Sequence, residues 1–90
     1  MLDINRIIPT VLTKIRTLPV GDSIRIATFK KDRHLTITRQ NETMLQLIRH
    51  GFTNATYEIE EEKIKKELKQ LLKQEFPRSN KVHLTTIKQG

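Results

Sequence analysis

Apolar residues in the first part of the chain recur at steps of three and four, through Ile4, Ile7, Ile8, Val11, Leu12, Ile15 and Leu18. That spacing lines one side of an amphipathic helix. Asp3 suits its N-cap and Pro19 stops the pattern. Pro9 cannot donate to the carbonyl of Asn5, so the helix either bends there or begins its regular part at Pro9. Arg6, Lys14 and Arg16 fall off the stripe and are expected in water. Pro19-Val20-Gly21-Asp22 then reads as a turn.

The rhythm changes to two after this turn. Ile24 and Ile26 alternate with Arg25 and Ala27, and Leu35 and Ile37 alternate within His34 to Gln40. With the polar reversal Lys31-Asp32-Arg33 between them, the two segments predict a β-hairpin. Thr43 to His50 admits two readings. As a helix it would be capped by Asn41 and ended by Gly51. As a strand it would follow a two-residue turn at Asn41-Glu42, and the closeness of the preceding strand favours this meander. Asn54 to Ile59 predicts a short further strand.

A second helix follows, with Ile64, Leu68, Leu71, Leu72 and Phe76 at helical spacing and Pro77 at its end. Glu60, Glu61 and Glu62 in its first turn suit the positive end of the helix dipole. Glu61 with Lys65 and Glu62 with Lys66 are i,i+4 pairs in the favourable order. Val82, Leu84 and Thr86 alternate with His83, Thr85 and Ile87 as a last strand. The expected fold is α+β, a mostly antiparallel sheet of four to five strands packed with two amphipathic helices, in the order α-β-β-β-(β)-α-β. The whole chain, residues 1–90, reads as one domain. In this scheme Ile24, Ile26, Leu35 and Ile37 share one sheet face. Ala27, Phe29, Leu45 and Leu47 are expected on the other, which would leave both faces to be covered by helices or by a second copy of the chain.

Charge changes the picture next. Seventeen Lys and Arg against ten Asp and Glu give a net charge of +7. The stretch 58–75 holds six glutamates against five lysines, so it is nearly balanced and reads as a solvated helix face. The excess lies elsewhere, with twelve basic and four acidic residues in the remainder. A cationic surface of that kind suits a polyanion, RNA or DNA. The chain has no cysteine, which excludes disulfides and thiol chemistry and fits a reducing, cytoplasmic setting. It has no apolar run of the length a bilayer requires, so no membrane partner is expected.

Arg25, Lys30, Lys31, Arg33 and Arg39 cluster around the predicted hairpin with only Asp32 opposing them, and Phe29 sits among them. Cations there would neutralise phosphates while an exposed ring stacks on a base. The competing reading is that these cations guard a sheet edge and Phe29 packs under a helix. Arg78 and Lys81, after the second helix, would extend the basic surface or merely complement the negative helix end. His34, His50 and His83 are the only material for acid–base chemistry, yet no spacing brings them together. No catalytic residue, metal site or cofactor is assigned. The sequence therefore points to a non-enzymatic nucleic-acid-binding domain acting through a cationic hairpin. The alternatives are a protein-interaction module or homodimer with an apolar sheet face, and a small metal-free ribonuclease.

Overall fold

The computed structural model describes residues 2–28, 33–51, 54–75 and 81–88. The chain runs β1 (Leu2–Asp3), α1 (Ile4–Arg16), β2 (Ser23–Thr28), β3 (His34–Arg39), β4 (Met44–His50), β5 (Ala55–Glu60), a 3₁₀ turn at Glu61–Lys63, α2 (Ile64–Glu75) and β6 (Lys81–Ile87). The strands form one sheet in the order β1-β6-β2-β3-β4-β5, with every neighbouring pair antiparallel. This is the α+β architecture that the two rhythms predict, extended by the two-residue strand β1.

Both apolar helix stripes enter a single core. Ile7, Val11, Ile15 and Leu18 meet Ile64, Leu68, Leu71 and Leu72 over Ile24, Ile26, Leu35, Ile37, Leu45, Leu47 and Val82. The helices therefore lie side by side on one face of the sheet, and the domain has two layers. Each fully buried aliphatic side chain in that core contributes about 1.5–3 kcal/mol relative to exposure. α1 continues through Pro9 from Ile4 to Arg16. The turn after it is the expected one: Asp22 N donates to Pro19 O at 3.1 Å, and Gly21 takes a φ of 94°. A positive φ at the third residue of Pro19-Val20-Gly21-Asp22 is the position where a side chain would clash and glycine does not.

Segment 43–50 is a strand, as the meander reading has it, but its register corrects the expected faces. Leu47 pairs with Ile37 and Leu45 with Arg39. Asn41-Glu42-Thr43 form a three-residue connection, held because Asn41 Oδ1 accepts from Thr43 N at 2.9 Å and Met44 N at 3.0 Å. The side-chain cap adds one residue to the two-residue turn, and a one-residue slip moves every side chain of a strand to the opposite face. Leu45 and Leu47 accordingly belong to the helix-covered core with zero exposure, not to a second apolar face. Among the described members of that expected group, Ala27 lies on the far side, opposite His34 and His83. Phe29 lies outside the described residues.

Candidate nucleic-acid interface

The uncovered face of the sheet is built by strand alternation. On β2 the odd positions Ser23, Arg25 and Ala27 face away from the helices, because Ile24 and Ile26 face the core. On β3 the same side carries His34, Thr36 and Thr38. β4 adds Gln46, Ile48 and His50, and β6 adds His83 and Thr85. β5 adds Thr56, Glu58 and Glu60, opposite Ile48, Gln46 and Met44, so hydroxyl, amide, imidazole and carboxylate groups share this surface with apolar Ile48. Ser23 Oγ and Thr38 Oγ1 hydrogen-bond each other across it at 2.7 Å.

The pairing registers place all three histidines in one row across the strands. His83 stands opposite Ala27, Ala27 opposite His34, and His34 opposite His50. Three strand spacings make this row about 14 Å long. The rings of His34 and His50 stack, with centroids 4.7 Å apart and planes 17° from parallel. Burial first, then the Coulombic effects of Arg25 and His50, hold the His34 imidazole below its ordinary range. Among the described residues its Nδ1 has no hydrogen-bond partner. Arg25 is exposed one row away, opposite Thr36 and Thr85. The arrangement presents two flat imidazole rings beside an exposed guanidinium.

The residues expected to form a cationic cluster divide. Arg25 stays in water on the uncovered face, and Arg33, half-buried, precedes β3. Lys30, Lys31 and Arg78 lie outside the described residues. Lys81 opens β6 opposite Asp3, and its side chain is not among those described. Arg39 must be corrected: it is 5 % exposed and cannot belong to a solvent-facing patch. It shares the phase of Leu35 and Ile37, so β3 turns it toward the helices. There Nε donates to Leu18 O at 3.3 Å, Nη1 to Glu42 O at 3.0 Å and Asn41 O at 3.4 Å, and Nη2 to Ile15 O and the Glu61 carboxylate. Its own backbone is pinned to the preceding turn by Gly21 N donating to Arg39 O at 2.9 Å and Arg39 N donating to Asp22 O at 3.1 Å. Carbonyls after the last turn of a helix lack intrahelical donors, and the planar fork of Arg39 supplies them. Arg39 is a structural tie between α1, the β3–β4 connection and the start of α2.

The two ends of the sheet differ in charge. The histidine row lies at the end where β2 stops and β3 starts. At the other end Glu42, Glu60, Glu61 and Glu62 line a cleft of about 410 Å³, with Thr43 and Met44. Negative charge is thus concentrated at that end, away from the histidine row. On the opposite side of the domain, Lys63, Lys65, Lys66, Lys69 and Lys73 are exposed among the glutamates of the α2 region, as the balanced composition implies. Among the described residues, no group of three or more His, Asp or Glu is placed to hold a metal ion. No described helix is long and apolar enough to cross a membrane.

The histidine row is what sequence reasoning missed. The signal was present, because His34 alternates with Leu35 and His83 with Val82, which assigns both to the polar face. Pairing His34 with His50 additionally needs the three-residue connection at Asn41. The expected two-residue turn would have put the two histidines on opposite faces. No protein-family model matches the chain, and no curated protein or solved structure matches it.

Proposed function

We propose that this chain is a small non-enzymatic nucleic-acid-binding domain whose contact surface is the uncovered face of the sheet around Arg25, His34 and His50. The observation that carries the reading is the His34–His50 ring stack beside exposed Arg25, on a sheet whose other face is sealed by both helices. Two chemical needs of a nucleic-acid ligand are met there: a cation for phosphate and planar rings for bases. The exposed Thr85 hydroxyl in the neighbouring row offers a further donor to phosphate and sugar oxygens. The net charge of +7 supports the same partner, since counterion release favours a basic protein on a polyanion.

This reading moves the contact surface from the hairpin cluster to the sheet face, with Arg33 at its margin and Arg39 removed from it. Filter binding with labelled RNA and DNA across a salt series tests it. Affinity is expected to fall steeply from low to moderate salt, with a shallower slope in Arg25→Gln. Affinity that ignores salt, or no retention of either nucleic acid, overturns it.

A further inference from the structure

The shape of the proposed surface selects among nucleic acids. The histidine row runs across β6, β2, β3 and β4 on a broad sheet face, and the small side chain of Ala27 separates His83 from His34. A broad sheet face does not enter a duplex groove as a helix or a two-stranded ribbon does. Rings lying on such a face reach a base only where that base is already unstacked from its neighbours. His34 is half-buried and His50 is exposed, with their rings stacked across the two strands. His50 is therefore the member of the pair that solvent, or a further ring, reaches more readily.

We infer that the ligand is an unpaired, single-stranded stretch of nucleic acid, with a base stacking on His50 over His34 and a neighbouring phosphate held by Arg25. This inference rests on the nucleic-acid reading above and names the class of strand that it takes. His34, whose charged form burial disfavours, backs the His50 ring from β3. Charge complementarity fixes the strand's position, since the glutamate-lined cleft lies at the opposite end of the sheet. RNA and DNA share the chemistry used here, so both belong in the test.

Fluorescence anisotropy decides the matter. Labelled oligouridine, oligothymidine and a mixed-sequence duplex of equal length are titrated with the wild-type chain, His50→Ala and His50→Phe, each variant first checked by circular dichroism and a thermal melt. The expected result is single strands bound at least about tenfold more tightly than the duplex. His50→Ala should lose about five- to hundredfold in single-strand affinity, the range for one base–ring stack. His50→Phe, which keeps a ring, should recover most of it. Binding with no preference for single strands, or single-strand binding indifferent to His50→Ala, overturns this inference while leaving nucleic-acid binding intact. Failure of the wild-type chain to bind any of the three ligands overturns the parent reading as well.

Discussion

His34 and His50 are direct cross-strand partners on β3 and β4, and their imidazoles stack at 4.7 Å on the face that the helices leave open. Two imidazolium rings would repel at that separation, so the stack requires at least one neutral ring. Burial disfavours charge on His34 first, and the cations Arg25 on β2 and His50 on β4 add to the effect. A histidine held below its ordinary value binds fewer protons in the folded state than in the unfolded one. Its contribution to stability is complete above its unfolded value of 6.5 and falls away as pH drops below it. Thermal melts from pH 7.5 down to pH 5 should therefore show falling stability, and His34→Gln should flatten that fall. An identical pH dependence in the variant would exclude His34 as its source.

Arg39 ties α1, the β3–β4 connection and the start of α2 together. Removing it takes a donor from the Leu18, Asn41 and Glu42 carbonyls and from the Glu61 carboxylate, while Ile15 O keeps the bond from Leu18 N at 3.1 Å. The loss of one partner from a buried ion pair is strongly destabilising, although Glu61, 37 % exposed at its side chain, recovers part through water. Arg39→Ala should cost about 2–4 kcal/mol in urea unfolding. Arg39→Lys keeps the charge but not the fork, and should cost about 1–2 kcal/mol. A fully stable Arg39→Ala would remove the tie assigned to it.

Tyr57 connects β5 to α2 by donating its hydroxyl to Glu67 Oε1 at 2.7 Å. Burial, that hydrogen bond and the nearby carboxylate all raise the phenol above its ordinary value of 10, against a smaller opposing effect of Arg49. Tyr57 is the chain's single tyrosine and there is no tryptophan, so phenolate absorbance reports this contact alone. Native protein should ionise well above pH 10, and Glu67→Gln should lower the midpoint. A native midpoint at the ordinary value would show that the contact does not hold in solution.

The fold was legible in the sequence to the extent that a single residue rhythm decided each element. Ile7, Val11, Ile15 and Ile64, Leu68, Leu71 define their helix faces by spacing alone, and all of them are core residues. Ile24, Ile26, Leu35 and Ile37 likewise identify the covered sheet face. The error began at Asn41, where a side-chain cap lengthens the connection by one residue and carries Leu45 and Leu47 to the core side. Local sequence does not fix that register, because either turn length leaves an alternating strand. The candidate site suffered from the same slip, since His34 and His50 meet only in the longer connection. Arg39 departs from its expected place for a different reason: its strand phase, shared with Leu35 and Ile37, turns it to the core side in spite of its charge.

A ¹⁵N–¹H correlation titration of the chain with oligouridine tests the central claim most directly, because it reports which face meets the ligand. The account predicts shifts concentrated at the amides of Arg25, Ala27, His34, His50 and His83, growing with ligand and suppressed by salt. Shifts confined to the helical side, at Arg6, Lys14, Lys65 or Lys69, would contradict it.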